Sequence, residues 1–289
     1  MIKNIIKKIP FIYLLKGYIR FRGKYYFFYK KWFASPSLRQ AKILKSYVTQ
    51  NKNYKKREVS SSYFLSKIKS SNPIILDIGA NLGYSAYHYS KFLKSVGKGS
   101  CLSFEPVSNN FSDLIFNFGH VINIFFFRLG LGNETKKIII GIPSSTNLSD
   151  EINTGLYSSK NIHKDGFQEE CHVVTVDSIL KTFSENQTDL NLEYIKIDVE
   201  GSELDVVKGA KATLLLHNPV VQIEYNTRAN DENNFKDILN NFKHLNYHPY
   251  IESGTITKNG YEVYFISSEV LDNYNKDNFF LSKFELLEK

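Results

Sequence analysis

From residue 73 onward, apolar runs of strand length alternate with stretches whose apolar residues recur at helical spacing. PIILDIG (73–79) is a continuous apolar run, as expected of a strand covered on both faces. Residues 84–96 place Ala86, Tyr89, Leu93 and Val96 on one helical stripe, and Gly97 supplies a stop. SCLSFEP (100–106) predicts a second strand. Phe111, Leu114, Ile115 and Phe118 mark a second helix ending at Gly119, and INIFFFRLG (122–130) predicts a third strand.

The middle of the chain reads differently. KKIIIGI (136–142) and CHVVTVDSIL (171–180) predict strands around a polar loop rich in Ser and Asn. A loop of that length inside a compact domain is usually functional or disordered. Alternation then resumes with strand YIKIDVEG (194–201), a helix over 202–217 closed by Pro219, and strand PVVQIEY (219–225). Phe235, Ile238, Leu239 and Phe242 share one face of a further helix. HPYIES and YEVYFIS follow, joined near Asn259-Gly260, a hairpin turn signal. Repeated strand–helix units with a final hairpin predict an α/β fold built on a doubly wound, mostly parallel sheet. Ligands in such sheets bind at the carboxyl ends of the strands.

Composition adds a division of charge. Residues 1–60 hold sixteen Lys or Arg against one acid, Glu58, a charge of +15, while the remaining 229 residues hold 21 bases and 28 acids, a charge of −7. The division predicts a basic aromatic segment over 1–60 and an α/β domain over 61–289. A basic head fits an anionic partner. Ile2, Ile5, Ile6 and Ile9 fall on one helical face there, and aromatics mix with bases after Pro10. That mixture suits an interfacial segment on an anionic leaflet, or helices covering a sheet edge. Nucleic acid is the alternative partner. No run reaches the roughly 18 apolar residues of a spanning helix, and no signal-peptide pattern is present. Cys101 and Cys171 lack C-x-x-C spacing and the histidines lack ligand spacing, which predicts buried reduced thiols and no metal site. The expectation is a cytoplasmic protein, peripheral on the inner membrane face if the head binds lipid.

The loop after the first strand reads D-x-G-A-N-x-G: Asp77, Gly79, Ala80, Asn81 and Gly83, followed by Tyr84. A dinucleotide fingerprint starting at Gly79 needs glycine where Asn81 and Tyr84 stand, and no G-x-x-x-x-G-K-[ST] loop is present. Glycines let a ligand lie against the backbone, and Asp77 can accept from an ammonium group or order a water beside one. Glu105, 22 residues beyond Gly83, suits a ribose diol, because one carboxylate accepts from both hydroxyls. This set describes S-adenosylmethionine better than a dinucleotide. The plainer alternative makes Asp77 a helix cap and Glu105 a solvated strand end.

ILDIGANLGYS, LSFEPVSNNFSDLIFN and YIKIDVEGSELDVVKGAKATLLLHNPVVQIEYN together resemble the FkbM family of S-adenosylmethionine-dependent methyltransferases, over residues 73–226. The most specific part is I-K-I-D-V-E-G-x-E followed by V-x-K-G-A. The resemblance implies a seven-stranded, Rossmann-like class I methyltransferase sheet. It implies that Asp77, Gly79, Ala80, Asn81, Gly83, Tyr84 and Glu105 hold the cofactor, with Asp198 beside the transferred methyl. It also implies that RLGLGN (128–133) lies near the adenine, and that the acceptor is a hydroxyl, often of a sugar in a glycan or metabolite.

Methyl transfer from a sulfonium is an in-line displacement, so alignment supplies much of the rate. A positioned carboxylate can remove the proton of an alcohol acceptor. KIDVEGSE supplies Lys196, Asp198, Glu200 and Glu203, the first three on one face if the strand stays regular. Asp198 is the leading catalytic candidate and Glu200 the second. Glu203 is expected to begin the next helix, and Glu224 either lines the pocket or orders a loop. The segment lacks the [DN]-P-P-[YF] turn of enzymes that methylate amino groups, which favours oxygen. Asn153, Tyr157 and His163 are candidates for an acceptor wall, although His163 and His172 also read as ordinary residues. An RNA ribose 2′-hydroxyl is the alternative acceptor, and a non-catalytic cofactor-binding scaffold is the alternative to an enzyme.

Overall fold

The computed structural model describes residues 60–97, 99–119, 121–142, 167–185, 190–226, 232–257 and 260–287. The expectations for residues 1–59, and those for Asn153, Tyr157 and His163, lie outside the described residues. The first half runs α1 (60–66), β1 (Pro73–Ile78), α2 (Tyr84–Val96), β2 (Ser100–Phe104), α3 (Ser108–Phe118), β3 (Ile124–Phe127), β4 (Gly130–Leu131) and β5 (Lys136–Ile142). The second half runs β6 (Phe167–Val174), α4 (Val176–Ser184), β7 (Asn191–Ile197), α5 (Glu203–Lys208), α6 (Lys211–His217), β8 (Val220–Asn226), α7 (Glu232–His244), β9 (Tyr247–Glu252), β10 (Gly260–Ser267), α8 (Ser268–Asn275), α9 (Asn278–Lys283) and β11 (Phe284–Leu286).

All six residues of β1 are buried, which explains its apolar run. It pairs in parallel with β2 on one side and β7 on the other. The main sheet has the order β11-β9-β10-β8-β7-β1-β2-β3, with β10 antiparallel between β8 and β9. The fold is the α/β, doubly wound and mostly parallel architecture expected. Seven strands were expected in this sheet and eight are present, the addition being β11, antiparallel to β9 at the edge. At three residues, FEL is too short to show a period.

One face of the sheet carries Ile75, Cys101, Phe126, Tyr194 and Tyr264 against α1, α2, α3, α8 and α9, through residues such as Phe64, Tyr89, Leu114, Tyr274 and Phe280. The other carries Leu76, Phe104, Ile197, Ile223 and Phe265 against α4, α5, α6 and α7. The helices form where apolar stripes face the sheet, as with Phe235, Ile238 and Phe242 in α7. Cys101 and Cys171 are buried and free. No described helix is long and apolar enough to cross a membrane.

Three expectations need correction. β5 and β6 form an antiparallel hairpin, with β4 added in parallel to β6, but this is a separate three-stranded sheet. Residues 176–180, expected to extend β6, instead begin α4. Thr175 caps that helix by accepting from Ser178 N at 3.0 Å, and Val176, Ile179, Leu180 and Phe183 line its buried side. The helix expected over 202–217 is broken into α5 and α6 at Gly209-Ala210. A Cβ at Gly209 would lie 1.9 Å from Gly132 O, so the break rests directly on the RLGLGN stretch. Asp177 completes the junction: its N–H donates to Gly209 O at 3.0 Å, and its carboxylate accepts from Ala212 N at 3.1 Å and Thr213 N at 2.8 Å.

Candidate active site

The strand registers assemble a polar row inside an otherwise apolar sheet. Ser103, Asp77, Lys196, Gln222 and Tyr264 are successive partners across β2, β1, β7, β8 and β10. Side chains alternate along strands, so these five share one face. Ser103, Asp77, Lys196 and Gln222 are all buried, and so is Tyr264. Two residues farther toward the carboxyl rim stand Glu105, Gly79, Asp198 and Glu224, with Glu262 opposite Glu224 on the reversed β10.

Asp77 is fully enclosed, and Ser103 Oγ donates to its Oδ2 at 3.3 Å. Its Oδ1 meets no hydrogen-bond partner among the described residues. Burial pushes the Asp77 carboxyl up to about 6, while Lys196 pulls it back down. A buried carboxylate oxygen without a partner is costly, and this one is chemically suited to a cationic or protic ligand group.

The loop after β1 owes its glycines to its own chain. Gly79 has φ +84, and a Cβ there would sit 1.8 Å from Asp198 O. At Gly83, with φ +95, a Cβ would meet the Phe118 ring at 2.4 Å. Ala80 is buried, and the N–H groups of Gly79 and Ala80 both donate to Phe104 O. Asn81, at φ +49, donates its N–H to Glu105 Oε2 at 2.9 Å. Val107 N donates to Oε1 of the same carboxylate at 3.0 Å. Glu105 therefore fastens the β1 loop to the turn after β2, and burial pushes it up to about 7 against these hydrogen bonds. The Asn110 side chain gives the same carboxylate a third hydrogen bond, and its remaining lone pair can accept from a ligand hydroxyl. Tyr84 opens α2, half-buried.

At the end of β7, Lys196 Nζ donates to Asp198 Oδ2 at 2.6 Å. The lysine side chain is 11% exposed and the aspartate 25%, so the pair is graded from the interior toward the rim. Burial alone would lower the Lys196 pKa, but Asp198, Glu224 and Asp77 together hold it above the ordinary lysine range. The strand does not stay regular: Glu200 has φ +52 and Gly201 φ +100, which turns the chain away. Glu200 accepts from Asn226 Nδ2 at 3.0 Å, and burial together with the charge of Asp198 pushes it up to about 7. Glu203 opens α5 and folds back to accept from Gly201 N at 2.9 Å.

The structure thus brings Asp77, Lys196 and Asp198 into one cluster, and Asn81 and Glu105 into a second on neighbouring strand ends. Ser103, Gln222 and Asn226 belong to the same region and escape sequence reading. Their signal is a polar residue inside or at the end of an apolar strand. Within RLGLGN, Leu129 and Leu131 are buried in the core, and Arg128 is ion-paired with Glu169. Glu169 also accepts from Ser108 N and Ser108 Oγ, tying β6 to the start of α3.

The sequence profile described as the Methyltransferase FkbM domain matches residues 77–249, more than half of the chain. No curated protein matches. Among solved structures, the chain is similar to the FkbM methyltransferase of Methylobacillus flagellatus at 20% identity, over 69% of this chain and 45% of that one, with a TM-score of 0.46. This chain therefore spans less than half the length of that protein. It is similar to a TehB-like SAM-dependent methyltransferase of Corynebacterium glutamicum at 10% identity, over 80% and 97% of the two chains, TM-score 0.41. It is also similar to Aeropyrum pernix fibrillarin with natively bound S-adenosylmethionine, at 12% identity over 68% and 67%, TM-score 0.39. On the domain match, the chain belongs to the FkbM family of methyltransferases.

Proposed function

We propose that the protein transfers a methyl group from S-adenosylmethionine to a hydroxyl of a sugar, in a glycan, glycolipid or related metabolite. The observation that carries this reading is the Lys196–Asp198 pair, 2.6 Å apart at the carboxyl end of β7. An alcohol is a weak nucleophile at neutral pH, and a carboxylate held beside it can take its proton as the new bond forms. The described rim near Asp198 is acidic, with Glu200, Glu224 and Glu262, and Lys196 is engaged by carboxylates. Hydroxyl groups donate to carboxylates, whereas nucleic-acid phosphates would meet like charge there. The rim therefore suits a polyol better than RNA.

In this reading Asp198 is the catalytic base and Glu200 the second candidate. Gly79, Ala80, Asn81, Gly83 and Tyr84 form the cofactor turn, Glu105 faces the ribose, and Asp77 lies behind the turn. The cofactor supplies an electrophilic methyl on sulfur. Incubation with tritium-methyl S-adenosylmethionine and fractionated cell extract is expected to label a saccharide or glycolipid fraction. Label confined to RNA would favour the ribose reading, and absence of both label and cofactor binding would favour a scaffold. We also propose that residues 1–60, with a charge of +15, bring the enzyme to an anionic leaflet. Equal flotation of full-length protein and a 61–289 fragment with anionic liposomes would refute that.

A further inference from the structure

We propose that Lys196 is a positioning residue: buried beside Asp77, its register partner on β1, and bonded to Asp198 at the end of β7, its ammonium fixes Asp198 to receive the proton of the acceptor hydroxyl. The inference rests on the hydroxyl reading above and deepens it. Lys196 is the direct register partner of Asp77, and its Nζ donates to Asp198 Oδ2 at 2.6 Å. A buried ammonium is strongly unfavourable unless paired, and Lys196 is bonded to Asp198 within the field of Asp77, Glu200 and Glu224. Its register neighbour Asp77 is fully enclosed, and its bonded partner Asp198 reaches the rim. Oδ2 of Asp198 is used by the lysine, which leaves Oδ1 to accept from a hydroxyl. In the transfer, the acceptor oxygen bonds to the methyl carbon as the carbon–sulfur bond breaks. That electron pair stays on sulfur, and the hydroxyl proton passes to Asp198.

The charged and titratable groups facing Lys196 are Asp77, Asp198, Glu200 and Glu224. Those facing Asp77 are Lys196, Asp198, Glu105 and Cys101, with Tyr89 from α2. Lys196 lowers the Asp77 pKa, which stands at about 6. Removing the ammonium therefore moves the Asp77 titration upward and raises the protonated share of its carboxyl at neutral pH.

The test compares wild type, Lys196→Gln and Lys196→Arg at neutral pH. Lys196→Gln is expected to lose about 100-fold or more in methyl transfer to the labelled saccharide fraction, the order of one general-base contribution. Its affinity for S-adenosylhomocysteine by calorimetry should stay within about 5-fold of wild type. Its infrared difference spectrum should gain a protonated-carboxyl band that Lys196→Gln/Asp77→Asn lacks. Lys196→Arg, which keeps the charge, should recover at least about a tenth of turnover and show no such band. Wild-type turnover in Lys196→Gln would overturn the proposal. So would equal losses of turnover and cofactor affinity with no new band, the outcome of a purely structural role. If Lys196→Gln does not fold, a folded but inactive Lys196→Arg overturns it. Labelling of amines alone, with the infrared change present, would sink the hydroxyl reading while preserving the ion cluster.

Discussion

Gly79→Ala tests whether the loop glycine serves the ligand or the protein's own backbone. At φ +84, an alanine is disfavoured by about 1–2 kcal/mol for the left-handed conformation alone. Its Cβ would stand 1.8 Å from Asp198 O, a contact with rigid backbone that only a shift of β1 or of the β7 end can relieve. Such overpacking costs about 1–3 kcal/mol. The shift also strains the hydrogen bond from Asp198 N to Ile78 O, 2.9 Å long, worth about 1 kcal/mol. The total is about 3–6 kcal/mol, a large part of a typical 5–15 kcal/mol stability. Gly97→Ala is the control: φ is +75, and nothing among the described residues lies within 4 Å of its Cβ, so only the conformational part remains. Urea unfolding followed by circular dichroism should place Gly79→Ala at least about 2 kcal/mol below Gly97→Ala. Equal stability of the two variants, with cofactor affinity lost only in Gly79→Ala, would refute the reasoning and return the glycine to the ligand.

Glu105 and Glu200 are each pushed up to about 7 from an ordinary 4.5, chiefly by burial. Between those values the unfolded chain has released protons that the folded protein still holds, so both groups make stability fall as pH rises through that window. Glu200→Gln should therefore flatten the dependence of the urea midpoint on pH across this range, and an unchanged slope would count against the buried-carboxyl account. Asp177→Ala removes the acceptor for Ala212 N and Thr213 N and should cost about 1–2 kcal/mol in urea unfolding, with cofactor affinity by calorimetry unchanged. A stability loss below about 0.3 kcal/mol would mean that the α5–α6 junction holds without this cap.

Elements whose burial is periodic were legible in the sequence. The continuous run of β1 and the stripes of α2 and α7 each record which faces touch the core, and the structure places them there. Misreadings arose where two elements shared one apolar text, as at Val174–Thr175–Val176, where strand gives way to helix. The break at Gly209 depends on contact with Gly132, a long-range approach that local spacing does not encode. Register is hidden for the same reason: Asp77 and Lys196 are more than a hundred residues apart, yet adjacent on neighbouring strands. A weaker signal was nonetheless present. Asp77, Ser103, Lys196 and Gln222 are each polar exceptions within strands that are otherwise largely apolar. A lone polar group in a buried strand costs several kcal/mol unless it finds a partner. Four such exceptions in four neighbouring parallel strands of one sheet are therefore best accommodated when registers bring them side by side. On that argument the polar residues select the alignment of β2, β1, β7 and β8, and the cluster that positions Asp198 also helps to specify the fold.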